Sequence, residues 1–387
     1  MVPSQILIRG YYLLFVLLPW SLDTDLGFGH MLLPAEPLMA LLSVGVLISV
    51  LKSDVSLLLQ RNRAFPYLAL GYTGWLAISA LYSTMPGVSF KYLLVEATHV
   101  WVFGIGFWLW PSLWQRCLYW MGISMTGLAV YVLLHHATYH FRPDQANLAP
   151  MPFFPESNIW ACLLVMLLFW WISVWKNRGL LHWFQGIIWI IALFFSGSRG
   201  AWLSAWLAIG AGVIGWASFR AKWLVWGVWL AGIVIGAWVL STRTGYVSEQ
   251  ERINRWNCAW RMAEARPFLG FGPGTFQFQY IPFQQPDQMT RISLTSPLME
   301  RTPSSYGRGG GAHSEFARAL SETGLVGLGF WLALFGLGMV RGFQALRQNK
   351  EVQWGLLALG SFLLHGLVND FLHNGTVAAL VLGTLVY

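Results

Sequence analysis

The chain has 387 residues, of which 56% are apolar and 10% charged, with 24 tryptophans and a net charge of +8 at neutral pH. A soluble domain carries a charged fraction of about a quarter, so this composition, with a positive mean hydropathy, excludes one and points to an integral membrane protein. Runs long enough to cross about 30 Å of hydrocarbon as helices recur along the chain, and the weak alternation of a membrane β-barrel is missing, so the expected fold is all-α and polytopic.

At the amino end Arg9 precedes the apolar Tyr11 to Trp20 and no small-residue cleavage site follows, so this stretch is expected to be the first span. Taking runs of about 16 to 27 mostly apolar residues as spans, about twelve are expected. They lie near 6–20, 35–51, 66–82, 92–111, 115–135, 157–175, 181–196, 200–218, 223–240, 314–340, 354–369 and 371–387. The last pair abut, and the apolar run is still under way at Tyr387, as in a native chain that continues further. Cys117, Cys162 and Cys258 stand far apart, which suggests neither a disulfide framework nor a thiolate metal cluster.

The short connections that carry Lys52, Arg61 and Arg63, then Lys176 and Arg178, then Arg220 and Lys222, and finally Arg341, Arg347 and Lys350 are basic, which places them in the cytoplasm. Residues 1–240 then form spans one to nine, 241–313 a large extracytoplasmic loop, and 314–387 the last three spans of one membrane domain. The loop holds eight arginines and no lysine, and Lys91 is the lysine expected on the outer side. Planar, permanently charged guanidinium groups suit phosphate, whereas topology alone would accept either cation. Against that stands the plainer reading of each arginine as a partner of a loop acid or a lipid headgroup.

The chemistry-bearing motifs follow in order. Ser196-Gly197-Ser198-Arg199-Gly200-Ala201-Trp202 joins two spans, and an arginine at membrane depth is costly unless it is paired or faces a wet cavity. In Glu251-Arg252-Ile253-Asn254-Arg255-Trp256, a helix at about 100° per residue puts Arg252 and Arg255 on one face with Trp256, while Arg261 points away as a structural or rim charge. Arg252 is the first choice for an anion ligand and Arg255 the second. A glycine-rich turn, Pro267 to Phe276, follows. After Gly309, Gly310 and Gly311 comes His313, at the start of the next helical pattern, where a titratable imidazole meets water and lipid. A lone histidine there is more commonly a solvated or capping residue. The glycines and Arg308 just upstream favour a catalytic base instead. Glu322 lies about 13 Å deeper along that helix and within i,i+4 reach of Arg318, so the two read as a buried structural pair. Lys91, Arg142, Asn158, Arg308, Arg318 and Glu322 are the supporting site candidates. His135, His136 and His140 have helical spacing suited to zinc, but no carboxylate or cysteine pattern completes a site. With no Walker loop or nucleophile elbow, neither a metal nor a cofactor is expected.

These motifs together resemble the O-antigen ligase and polymerase superfamily of bacterial membrane glycosyltransferases. The resemblance rests on Ser196 to Gly200, Arg252 with Trp256, Pro267 through Gly270, Gly272 and Gly274 to Phe276, His313 to Phe316, and Glu322 with Gly324 and Gly327. It covers roughly residues 150 to 384, with Glu156-Ser157-Asn158 similar to that family's acidic-polar-Asn turn. The resemblance implies a GT-C-type helical enzyme of the bacterial inner membrane, with its active site facing the periplasm. It would take a saccharide from an undecaprenyl-diphosphate donor and hand it to an acceptor hydroxyl. It also implies an essential histidine after the large loop, here His313, and diphosphate-binding arginines, here Arg199 with Arg252 or Arg255. Lipid A–core is the first-choice acceptor, ahead of a growing glycan and of protein, and no nucleic acid is expected. The rival from another class is a lipid-linked oligosaccharide flippase or transporter. That class should show midplane charges and internal repeats, whereas the ionisable residues here gather at the outer face.

Overall fold

The computed structural model describes residues 3–27, 30–52, 64–173, 179–216, 226–227, 229–232, 247–289, 311–346, 349 and 352–387. It is mostly helical. In chain order the helices are α1 (Gln5–Leu17), α2 (Ala35–Leu51), α3 (Ala64–Leu81), α4 (Pro86–His99), α5 (Ser112–Thr138), α6 (Ser157–Ser173), α7 (Leu180–Phe195), α8 (Arg199–Trp216), α9 (Val247–Ala265), α10 (Glu315–Ala345), α11 (Val352–His365) and α12 (Gly375–Val386). Four are long and apolar enough to cross a membrane, counting α4 through its extension to Leu109: Ala64–Leu81, Pro86–Leu109, Ser112–Thr138 and Glu315–Ala345. A helix stands at every expected span except the ninth, near 223–240, most of which lies outside the described residues together with Arg308.

The fold departs from the all-α expectation at one place. Leu22–Asp25 and His30–Leu33 pair as an antiparallel hairpin between α1 and α2. Helix α4 passes into a π-helical turn, Val100–Ile105, where Tyr11 donates its hydroxyl to the Val102 carbonyl at 2.8 Å.

The core is aromatic. Phe15, Phe107 and Trp114 meet edge to face, and Trp114 continues onto Trp170. In lipid, helices associate through close packing, and α11 lies against α6, α8 and α10 in this way.

Two irregular places set up the site. The last two expected spans do not abut: α11 and α12 have 14 and 12 residues and are separated by the non-helical segment 366–374. At 1.5 Å per residue each covers only about 20 Å, short of a full span of about 30 Å. Irregular backbone between two buried apolar helices must have its polar groups satisfied by protein. Glu315, fully buried, does this: its carboxylate accepts the Phe371 and Leu372 amides at 2.5 and 2.7 Å, and its own N–H reaches the Gly366 carbonyl at 2.8 Å. Asn374 then caps α12 through the Thr376 and Val377 amides.

The second irregularity is a break in α10 at Gly324, whose φ is 69°. The turn after α9 docks there as a short ladder. Phe271 N–H meets the Ser321 carbonyl at 3.1 Å, Gly272 N–H the Glu322 carbonyl at 2.8 Å, and Leu325 N–H the Pro267 carbonyl at 2.8 Å. Helix α3 closes it from the other side, with Trp75 Nε1 donating to the Thr323 carbonyl at 2.9 Å and Ser79 Oγ to the Leu269 carbonyl at 2.8 Å.

Candidate functional site

The turn between α7 and α8 bends at Gly197, whose φ is 65°, a conformation that costs glycine nothing. Ser198 Oγ donates to Asn158 Oδ1 at 2.7 Å, which ties the turn to the start of α6. Arg199, the first residue of α8, is left exposed and reaches across to Glu249 in the first turn of α9 at 3.1 Å. Helix α9 is thus held beside the α7–α8 turn at its beginning and at the α10 break at its end.

Along α9 the two candidate arginines separate. Arg255 is 3% exposed; its Nε binds Glu251 Oε1 at 2.9 Å and its Nη1 the Gly311 carbonyl at 3.1 Å, while its guanidinium lies 4.8 Å from the Tyr280 ring centroid. It is a structural cation that fastens the chain just before His313. Arg252, three residues earlier on the half-buried side, has a buried Nε with no hydrogen-bond partner. Burial, then the nearby charge of Arg199, depress its pKa, while Glu156 and Glu249 oppose this. Two guanidinium groups have therefore been brought into each other's field, an arrangement that an anion between them would relieve. Arg261, as expected, is structural and holds the Phe283 carbonyl and Gln288 Oε1.

His313 sits at φ 50°, in the left-handed region, and its carbonyl accepts the Trp256 indole N–H at 3.0 Å. Burial holds its imidazole down to about 4, with the Asp370 carboxylate pulling upward and Arg255 and Arg252 pushing further down. Asp370 comes from the non-helical segment between α11 and α12. It lies so close under Gly311 that a methyl group there would stand 2.6 Å from Asp370 Oδ2. Glu156, solvent-accessible in a crowded recess, faces the same group: partial desolvation and then Asp370 raise its carboxyl, while Arg252 and Arg255 lower it. The site is thus an imidazole, a carboxylate in its field, and a half-buried guanidinium with a second one in its own field.

Not every expected residue joins this group. Lys91 donates to the His30 carbonyl at 2.7 Å and so belongs to the hairpin. Arg142 pairs with its neighbour Asp144 at the exposed end of α5. The expected pair of Glu322 and Arg318 is replaced by two others. Arg318 binds Glu315 at 2.8 Å, whereas Glu322 turns its carboxylate to the backbone amides of Gly274 and Phe276 at 2.9 and 3.0 Å. Asn158 is engaged by the Arg199 turn through Ser198. His135 contacts the Ala149 carbonyl and the Tyr139 hydroxyl, and His136 the Arg142 carbonyl. Among the described residues no group of His, Cys, Asp or Glu forms a metal-holding cluster. The residues that sequence reasoning left without a role are Asp370, Glu156 and Glu315. For Glu315 a signal existed: it precedes Arg318 by three residues, the spacing of a helical ion pair.

Residues 184–332 match the family model described as O-antigen ligase. The match covers less than half of the chain, so this segment is similar to O-antigen ligases. The matched segment takes in Arg199, Arg252, Arg255, His313, Arg318 and Glu322, while Glu156 and Asp370 lie outside it. The run of apolar helices among the described residues fits a multi-pass membrane protein, as does the similarity to O-antigen ligases. No curated protein matches it.

Proposed function

We propose that the chain moves a saccharide from undecaprenyl diphosphate to an acceptor hydroxyl at the periplasmic face of a bacterial inner membrane, with loop 241–313 on that side. Lipid A–core is the acceptor favoured here. The acceptor oxygen attacks the anomeric carbon, its proton passes to the free ring nitrogen of His313, and the bond from that carbon to the diphosphate oxygen breaks with its electrons leaving on the diphosphate. Arg252 and Arg199 neutralise the departing charge, so the reaction as proposed needs no metal. The charge of Asp370 stabilises the protonated form of the imidazole. The observation that carries this reading is Arg252, whose buried Nε has no partner although the charge of Arg199 already presses on it. An energetically unfavourable pair of cations beside a neutral imidazole is the arrangement a pyrophosphate leaving group requires.

The test is transfer by the full chain in lipid nanodiscs, supplied with an undecaprenyl-diphosphate-linked glycan and lipid A–core. Glycan on lipid A–core, with undecaprenyl diphosphate released, supports ligation. A lengthened carrier-linked chain makes the protein a polymerase, and glycan on protein makes it a protein glycosyltransferase. Movement of the intact donor across the bilayer without cleavage overturns the enzymatic reading in favour of a flippase.

A further inference from the structure

Glu322 takes no part in that chemistry, yet it is a carboxylate buried to 5% exposure inside α10, where a charge is expensive. Its two oxygens are both engaged, Oε2 by the Gly274 amide at 2.9 Å and Oε1 by the Phe276 amide at 3.0 Å. A charge-assisted pair of this kind is stronger than neutral bonds and fixes both amides at once.

What those amides hold leads back to the site. Phe276 stacks on Tyr280 with ring centroids 5.3 Å apart and planes 10° from parallel. The Tyr280 ring also meets Arg255, 4.8 Å from its centroid. Arg255 then donates to the Gly311 carbonyl, and Trp256, the next residue on α9, to the His313 carbonyl. Phe276 and Tyr280 share one small core with Cys258, Met262 and Ala312, so the chain of contacts is continuous and packed.

We propose that Glu322 is a positioning residue: by fixing Gly274 and Phe276 it seats the Tyr280 ring under Arg255 and thereby holds α9 and the His313 backbone in register. The inference rests on the glycosyl-transfer reading only for its effect on rate. Its structural part stands without it.

The experiment uses the full chain in lipid nanodiscs and compares wild type with Glu322→Gln and Tyr280→Leu. Glutamine keeps the shape but offers one acceptor oxygen, so one amide loses its partner. Amide exchange should quicken in Glu322→Gln at 270–280, along α9 and at 311–314, while α6 stays protected. Tyr280→Leu should open 311–314 and leave the Gly274 amide protected. A misplacement of this kind is expected to lower the transfer rate by about 10²-fold, with a smaller change in KM. Binding of farnesyl diphosphate, read from quenching of indole fluorescence, should weaken with it. Exchange that rises only at 270–280 in Glu322→Gln, with 311–314 and farnesyl diphosphate binding unchanged, overturns the proposal. If Glu322→Gln does not fold, unaltered exchange at 311–314 in Tyr280→Leu overturns it equally. Exchange that spreads as expected in Glu322→Gln, while the wild-type chain transfers no glycan, keeps the positioning role and removes the glycosyl-transfer reading.

Discussion

The indole N–H of Trp256 is bonded to the carbonyl of His313 at 3.0 Å, joining the arginine-bearing helix to the backbone of the imidazole residue. His313 holds a φ of 50°, which a non-glycine residue keeps only when its surroundings insist. Trp256→Phe removes that bond with little change in shape. We expect about 1 kcal/mol less stability and a transfer rate reduced about fivefold or more, read from a thermal melt and from product formation.

Arg252 and Arg255 should respond in opposite ways. Arg252→Lys keeps the charge and loses the planar fork, so the melting temperature should stay near that of wild type while transfer falls about 10²-fold. Arg255→Ala leaves Glu251 buried without its partner and should cost about 3–5 kcal/mol of stability. A stable Arg255→Ala with lost activity would reverse the two roles.

The acid limb of the pH profile should be displaced. The imidazole of His313 is held at about 4, against 6.5 for a free one, so the neutral, proton-accepting form survives to lower pH. The value of kcat/KM should therefore stay level from pH 7 to about 5 and fall only on approach to about 4. Asp370→Asn removes the charge that raises this pKa, so the limb should move still lower as the maximal rate drops. Folding shows the matching sign. Between 6.5 and about 4 the unfolded chain takes up a proton that the native imidazole refuses, so stability should decline as pH falls through that window.

Gly324→Ala tests the break in α10. A methyl group there would run into the Phe268 carbonyl, at a φ of 69° that alanine adopts poorly. We expect a loss of about 3 kcal/mol or more, or failure to accumulate, seen as reduced yield and an early thermal transition. Gly329, where an added methyl meets nothing within 4 Å, should tolerate the same change.

Much of the helical frame was legible because a membrane span advertises itself by length and apolarity; Ala35–Leu51 begins and ends where the apolar run does. The sequence put Arg252 and Arg255 on one helix face, and it also carried the sign of Arg255's ion pair: Glu251 stands four residues ahead of it, the favourable spacing. Glu322 was out of reach, since its partners are backbone amides 46 and 48 residues away, and backbone groups leave no mark in side-chain identity. Asp370 was hidden for a related reason. Its segment reads as the join of two apolar runs, and the non-helical break between α11 and α12 is what brings the carboxylate to Gly311.

The ladder at Gly324 is completed by Trp75 and Ser79, and the segment between α11 and α12 is anchored by Glu315 to Phe371 and Leu372. The stretch 184–332 that carries the family signature is therefore not a transplantable module: grafted into another scaffold, it would arrive without the indole and hydroxyl that finish its ladder and without the carboxylate of Asp370. Exchanges of substrate preference between relatives should succeed only when residues from both flanks of that stretch travel with it.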